Sequence, residues 1–159
     1  MNDGRLVDEI ERVYRARGAD FYRFALARTG DRELAHEAVQ EGFARAIRAR
    51  RSFRGTGLLE AWIGRCVLNA ALDATRAAPV LPCDGGVGGY EDVELPNRDV
   101  WDALRKLPAR QRDALFLRYY LDFDYDAIAQ TLNIKTGTVS ATLHAARRNL
   151  REALKEVAL

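Results

Sequence analysis

Cysteine, lysine and histidine are scarce in this sequence of 159 residues. The two cysteines, Cys66 and Cys83, lie in unlike contexts, which excludes a small disulfide-held domain and favours two reduced thiols. The two histidines, His36 and His144, are far apart and have no cysteine or carboxylate at metal-ligand spacing. The sequence therefore predicts no metal site and no cofactor. It also shows no catalytic constellation and no phosphate-binding glycine loop, so we do not expect an enzyme.

Long apolar stretches are also missing. No run of 18 apolar residues is present, and the polar N-terminal residues lack the apolar core of a signal peptide. We therefore expect a cytoplasmic protein without membrane insertion. A hydrophobic content of 48% is that of a globular chain and excludes a wholly disordered one.

Proline is confined almost entirely to one segment. Three of the four prolines lie between residues 78 and 98, together with four glycines, which predicts a flexible linker. The flanking parts, 1–77 and 99–159, show apolar residues at helical spacing and no convincing alternation of period two. We therefore predict an all-α fold of two small helical domains.

The first part is expected to contain four short helices that close one small core. Two are short segments before residue 29, and the third and fourth run from about Arg32 to Arg50 and from about Leu58 to Arg76. Gly30 suits a helix C-terminal cap and Asp31 the N-cap of the next helix.

Residues 124–148 have the pattern of a helix-turn-helix. Asn133 falls where the chain must turn sharply, with a positive φ that asparagine tolerates. Thr136 can cap the second helix, which would enter the major groove of DNA. The pattern alone leaves open a three-helix scaffold with no nucleic-acid partner.

A family resemblance covers nearly all of the chain outside the linker. The segment LPARQRDALFLRYYLDFDYDAIAQTLNIKTGTVSATLHAAR resembles region four of bacterial RNA polymerase sigma factors. Residues 35–43, with their acidic-Gln-Glu helix, and residues 52–55 followed by Trp62 and Asn69 resemble region two. Two such regions in this order, joined by a short variable linker, are similar to the extracytoplasmic-function (ECF) group.

The resemblance implies which residues would bind the polymerase. Glu37, Gln40 and Glu41 share one helix face, and in the family this face docks on the clamp of the largest subunit. The family also contacts the flap of the second-largest subunit. Regulation by an anti-sigma factor is implied too, and we expect a monomer when the chain is free.

The resemblance likewise implies two DNA-binding sets. In the first part, five arginines in ten residues, Arg45, Arg48, Arg50, Arg51 and Arg54, have no acid among them and suit a phosphate path beside aromatic side chains. The residues expected to melt and hold the promoter −10 element are Arg48, Arg51, Phe53, Arg54, Trp62, Arg65, Asn69 and Arg76. Trp62 suits a core role about equally well. The residues expected at the −35 element are Arg118, Lys135, Thr136, Thr138, Ser140, Ala141, His144, Arg147 and Arg148.

The second helix of the helix-turn-helix carries little charge. Ser140, Ala141, Thr142 and Ala145 occupy a stretch that is usually basic in the family, so we expect weak binding of the C-terminal domain alone to duplex DNA. This leaves two alternatives to a promoter-specificity factor. One is a protein-binding module such as an anti-sigma decoy, and the other is a stand-alone helix-turn-helix regulator.

The formal net charge of only +2 is low for a DNA-binding protein. The sum conceals an acidic segment at 79–98, which carries four acidic residues and one arginine, between two mildly basic parts. The charge therefore argues against tight autonomous DNA binding, and not against nucleic acid as a partner.

Overall fold

The computed structural model describes residues 2–77 and 93–157. Within these residues the secondary structure is helical throughout, without a β-strand, which confirms the predicted all-α fold. The helices are α1 (Asp3–Thr29), α2 (Arg32–Arg48), α3 (Leu59–Ala77), α4 (Arg98–Arg105), α5 (Ala109–Tyr119), α6 (Tyr125–Leu132) and α7 (Thr136–Val157). A single 3-10 turn, Arg50–Ser52, follows α2.

The predicted linker at 78–98 falls largely outside the described residues, as does Cys83. Its described end, residues 93–97, has no regular secondary structure, and Val93 and Leu95 pack against the apolar core. This end of the linker is therefore held on the surface of the protein.

The N-terminal half contains three α-helices, so the prediction of four short ones was wrong. Helix α1 continues unbroken for 27 residues through the buried Gly18. A glycine inside a helix costs about 1 kcal/mol relative to alanine. Packing of apolar residues on both sides of Gly18, from Leu6 to Leu26, offsets this cost, and no proline interrupts the helix.

The corner between α1 and α2 forms as the sequence predicted. Gly30 adopts φ 69°, and its N–H donates to the carbonyl of Leu26 at 2.8 Å. The Asp31 carboxylate accepts a hydrogen bond from the N–H of Leu34 at 2.9 Å. A left-handed glycine and an acidic N-cap thus reverse the chain within two residues.

Helices α2 and α3 are in tight contact at Gly42. A Cβ atom at this position would lie 2.6 Å from the Cα of Val67, so only glycine fits without moving a helix. The shared core of the N-terminal half includes Phe21, Val39, Phe43, Ile63 and Val67. This packing fixes the relative position of the two helices that carry the predicted −10 and polymerase-binding residues.

The C-terminal half contains the predicted helix-turn-helix in α6 and α7. Asp124 caps α6 by accepting from the N–H of Ala127 at 2.8 Å. Asn133 ends α6 with φ 55°, and the chain then re-enters a helix at Thr136. Val139, Leu143 and Ala146 are fully buried on the inward side of α7. The opposite side of α7 therefore faces away from the protein.

The two halves share one apolar core, and hydrogen bonds to backbone oxygens join them at its edge. Helix α1 lies against α5, and α3 lies against α6. From α1, Arg17 donates to the carbonyls of Leu121 at 2.5 Å and Tyr120 at 3.3 Å, where α5 ends. From α6, the hydroxyl of Thr131 donates to the carbonyl of Ala61 at 3.0 Å. These bonds are made to backbone oxygens, so they define one relative position of the halves.

A buried ion pair joins the halves at a second place. Arg28 on α1 donates to Asp113 on α5, whose side chain is completely buried. The second carboxylate oxygen of Asp113 has no hydrogen-bond partner among the described residues. Burial raises the pKa of Asp113 to about 6, although Arg28, Arg112 and Arg110 act in the opposite direction.

Candidate nucleic-acid interface

The arginines between residues 45 and 54 are not as free as their spacing along the chain suggested. Carboxylates lie beside them, one from the same helix and others from α1 and α3. Glu41 contacts Arg45 at 3.0 Å and Arg48 at 2.8 Å, and Arg45 also contacts Asp73 on α3 at 2.8 Å. Hydrogen bonds from Arg45 and then Arg48 lower the pKa of Glu41. The predicted polymerase-binding face and the predicted phosphate path therefore share a boundary at Glu41.

Arg50 has an intramolecular role that the sequence did not reveal. Its Nε and Nη2 donate to the two oxygens of Asp3 at 2.8 and 2.9 Å, and its Nη1 donates to the carbonyl of Ile47. Arg51 lies 3.6 Å from the same carboxylate and keeps a largely exposed side chain. Arg54 makes no ion pair with the described residues. The positive charge offered to a ligand is thus concentrated at Arg51 and Arg54.

A cavity of about 420 Å³ opens beside these two arginines. Its lining residues are Asp3, Leu6, Arg50, Arg51, Phe53, Arg54 and Gly55. The Phe53 ring packs against Trp62 with the ring centroids 5.4 Å apart. The cavity therefore combines an aromatic wall with a cationic rim, the chemistry that an unstacked base and its phosphate require.

The predicted residues of α3 form one stripe. Trp62, Arg65, Asn69 and Arg76 follow a spacing of three, four and seven residues, which places them on one side of the helix. Arg65, Asn69 and Arg76 are exposed, while Trp62 is half-buried against Phe53. Trp62 thus serves the packing of this surface and also borders it. Cys66, close to this stripe, is half-buried, and burial raises the pKa of its thiol.

The predicted polymerase-binding residues lie on the outer side of α2. Glu37 and Gln40 are exposed, and Glu41 is half-buried by its arginine partners. The amide of Gln40 donates to the Tyr14 hydroxyl at 2.7 Å, which ties this face to α1. Glu37 makes no ion pair with the described residues and offers its full charge to a partner.

The outward side of α7 holds most of the predicted −35 residues together. Seven of the nine are exposed: Lys135, Thr136, Thr138, Ser140, Ala141, His144 and Arg148. The hydroxyl of Thr136 donates to Asp126 on α6 at 3.2 Å, so it also links the two helices. Lys135 and Arg148 make no ion pair with the described part of the chain. The polar groups of this face therefore have few intramolecular partners that would compete with a ligand.

The remaining two predicted −35 residues are engaged inside the domain. Arg118 donates to the carbonyl of Phe123 at 3.3 Å and contacts Asp122 at 3.4 Å, which holds the turn before α6. Arg147 donates to the hydroxyl of Tyr119 at 2.9 Å and stacks over its ring. Both arginines are half-buried. Both arginines therefore have intramolecular partners that a DNA contact would have to replace or share.

An apolar groove of about 400 Å³ lies on the surface of the C-terminal half. It runs between α4, α5 and α7, with Leu104, Phe116, Tyr119 and Leu150 among its walls. Tyr119 is 61% exposed, which is unusual for so large an apolar side chain. The sequence pattern did not indicate this groove, because it forms only where α7 packs against α4 and α5, which precede it by more than 15 residues.

Two further findings concern the same described residues. Histidine, cysteine and acidic side chains form no cluster of three that could hold a metal ion within residues 2–77 and 93–157. No helix in these ranges is both long enough and apolar enough to cross a bilayer.

Comparison with known proteins decides the family. Residues 13–78 match the family Sigma-70 region 2, and residues 97–150 match Sigma-70, region 4. The ECF RNA polymerase sigma factor SigL of Mycobacterium tuberculosis is 30% identical over 91% of this chain and 88% of its own length. The chain belongs to the ECF RNA polymerase sigma factors. Sigma factors are transcription initiation factors and not enzymes, in agreement with the prediction from sequence.

Other relatives of this ECF sigma factor differ in length. SigE of Mycolicibacterium smegmatis is also 30% identical over 92% of the chain, but the chain spans only 61% of that relative's length. SigM of Bacillus subtilis is 28% identical over 91% of the chain and 93% of its own length.

Solved structures show the same fold. The sigma factor RpoE from Bartonella quintana, in complex with the anti-sigma factor NepR, has a TM-score of 0.74 at 23% identity and covers 93% of this chain and 97% of its own. CnrH in complex with the cytosolic domain of CnrY also has a TM-score of 0.74, at 18% identity, and covers 97% of this chain and 95% of its own.

Proposed function

We propose that this ECF sigma factor binds core RNA polymerase in the cytoplasm and directs it to promoters with both a −10 and a −35 element. In this proposal residues 1–77 bind the polymerase clamp and the −10 element, residues 99–159 bind the −35 element, and residues 78–98 join them. The observation that supports it most is the presence of two exposed polar surfaces, one on each half, at the residues that the region-two and region-four resemblance implicates.

At the −10 element, the proposed contacts are made by the α2–α3 surface. Melting DNA requires that unstacked bases be captured, because this capture offsets the loss of stacking. The cavity beside Phe53, Arg51 and Arg54 can take such a base, with the arginines on the adjoining phosphates. The exposed stripe of Arg65, Asn69 and Arg76, together with the exposed Arg48 on α2, would continue along the strand.

At the −35 element, the exposed face of α7 would enter the major groove. Lys135 and Arg148 supply charge, while Thr138, Ser140 and His144 offer hydrogen bonds to bases or phosphates. Few charges on this face mean few released counterions, and therefore modest affinity. The −35 contact would act as one part of a larger assembly on the polymerase.

The polymerase contacts are proposed at two places. Glu37, Gln40 and Glu41 form an acidic and amide face suited to a basic surface on the clamp of the largest subunit. The apolar groove with Tyr119 at its edge suits a helix from the flap of the second-largest subunit. An anti-sigma factor that covers the same groove would compete with the flap. The similar RpoE structure is a complex with the anti-sigma factor NepR, which supports this form of regulation.

Run-off transcription tests the proposal. Purified chain and core polymerase are supplied with a pool of genomic promoter fragments, and core alone is the reference. We expect discrete promoter-specific transcripts that core alone does not produce. Glu37→Lys reverses the charge of the proposed clamp face and should weaken core binding at least tenfold. Glu11→Lys, at an exposed position on α1, makes the same charge change and should leave core binding unaltered.

A different outcome would favour a second function. The low charge of α7 is consistent with a protein-binding module, for instance an anti-sigma decoy. Retained core binding without any promoter-specific transcript would support that function and contradict ours. Promoter-specific DNA binding without core would instead indicate a stand-alone regulator.

A further inference from the structure

The first turn of α1 is tied to the end of α2 by a two-pronged ion pair. Asp3 accepts from Arg50 through both of its oxygens, at 2.8 and 2.9 Å, although the two residues are 47 positions apart. Such bidentate arginine–carboxylate pairs fix orientation as well as distance. Hydrogen bonding to Arg50 lowers the pKa of Asp3, so the carboxylate is ionised throughout the neutral range.

Arg50 is itself the anchor of the loop that follows. Its third guanidinium nitrogen donates to the carbonyl of Ile47 at 2.8 Å, and its own carbonyl accepts from the N–H of Phe53 at 3.1 Å. The guanidinium therefore connects α1, the last turn of α2 and the start of the loop. Holding Arg50 in place holds the backbone from which Phe53 and Arg54 project.

The same pair forms part of the wall of the cavity. Asp3, Leu6 and Arg50 line the cavity together with residues 51 and 53–55 of the loop. Leu6 is buried one helical turn after Asp3, so α1 is fixed here by its own packing. The first turn of α1 thus provides a rigid support for a loop that has no other regular structure after Ser52.

We infer that Asp3 is a positioning residue for promoter opening: it orients Arg50, and through Arg50 the Phe53–Arg54 wall that receives the unstacked base. This inference rests on the proposed function of the cavity. Asp3 does not contact DNA in this arrangement, because both of its oxygens are occupied by arginine. Because Asp3 holds the loop in place beforehand, the loop loses less conformational entropy when the DNA strand binds.

The test uses holoenzyme reconstituted from core polymerase and full-length chain. The probe is the promoter fragment that yields the strongest run-off transcript with the wild-type chain, and open complexes are measured by permanganate reactivity of unpaired thymines. We expect Asp3→Asn to lower the open-complex yield about fivefold, since it removes the charge that makes the pair strong. Asp8→Asn, an exposed change of the same charge on the same helix, should stay within about twofold of wild type.

Four further measurements separate positioning from a general loss of structure. Core affinity and the melting temperature of the Asp3→Asn chain should match those of Asp8→Asn. Arg50→Lys keeps the charge but cannot form the two-pronged pair, and should show the same defect in opening. The double variant Asp3→Asn/Arg50→Lys should be no worse than either single variant, because both changes disable one unit.

The outcomes distinguish this inference from the function on which it rests. If the wild-type chain yields no transcript, the proposed function fails. If the wild-type chain opens the promoter and Asp3→Asn opens it equally well, the positioning role is wrong. Strictly additive defects in the double variant would also overturn it, because they would mean that Asp3 and Arg50 act separately.

Discussion

The two proposed DNA surfaces differ in how their charges are held. In the α2–α3 surface, four of the five arginines between 45 and 54 lie within 3.6 Å of a carboxylate, which is Glu41 on α2 itself or Asp3 on α1. On the outward side of α7, Lys135 and Arg148 have no such partner among the described residues. The first surface has many positive charges, most of them paired with carboxylates. The second has few positive charges, and these have no carboxylate partner among the described residues.

This difference bears on how each surface would bind. An arginine already fixed by a carboxylate loses little side-chain freedom when a ligand arrives, but part of its charge is neutralised. A long side chain without a partner offers its full charge and loses more conformational entropy. The α2–α3 surface would therefore bind through side chains that are already held in position. The side chains of the α7 face would adjust their conformation when DNA binds.

The largest expected effect comes from disturbing the base of the α2–α3 surface. Gly42→Ala places a methyl group 2.6 Å from the backbone of Val67, so α2 and α3 must move apart. We expect a loss of about 3 kcal/mol in the free energy of unfolding, measured by urea denaturation. Gly137→Ala, in the first turn of α7, meets no atom within 4 Å and should change stability by less than about 1 kcal/mol. Equal effects at the two glycines would show that the α2–α3 contact is not tight.

The next effect concerns the joint between the halves that carry the two surfaces. Burial raises the pKa of Asp113 from 3.8 to about 6, so the folded protein holds this proton more tightly than the unfolded chain. The stability that the group contributes is therefore fully present below pH 3.8 and is lost as the pH rises to about 6. Asp113→Asn should abolish this loss.

Urea denaturation at several pH values measures this contribution. Relative to wild type, the free energy of unfolding of the Asp113→Asn variant should increase by up to about 3 kcal/mol between pH 4 and pH 7. Asp8→Asn, at an exposed position, should differ from wild type by a nearly constant amount over the same range. A constant difference for Asp113→Asn as well would mean that its carboxylate ionises without penalty.

The smallest expected effect tests whether the carboxylate partners of the α2 arginines limit their binding to DNA. Glu41→Gln removes the partner of Arg48, while Arg45 remains paired with Asp73. Binding to a random-sequence duplex is measured at several salt concentrations. One additional free cation should make the slope of the logarithm of the association constant against the logarithm of salt concentration steeper by about one. Glu37→Gln removes the same charge one turn away but frees no arginine, and should change the slope by less than half as much. If both variants behave alike, the ion pairs of Glu41 do not limit the arginine surface.

The features that could be predicted from sequence are those set by neighbouring residues. Gly30, Asp31 and Asn133 act through backbone geometry and hydrogen bonds that span at most a few positions, and each has its predicted role. The continuity of α1 was missed because the cost at Gly18 is offset by packing against other helices. The partners of the arginines were missed for a related reason: Asp3 and Arg50 are 47 positions apart, and Arg28 and Asp113 are 85 apart.

Arg17 shows how the two halves can be joined and still come apart. It closes the end of α5 by donating to two backbone carbonyls that the helix itself leaves without a partner. If the halves separate, water can take the place of the guanidinium at both carbonyls. At these two carbonyls, separation would exchange the hydrogen bonds from Arg17 for hydrogen bonds from water, so this contact adds orientation to the joint at a small net cost when it is broken.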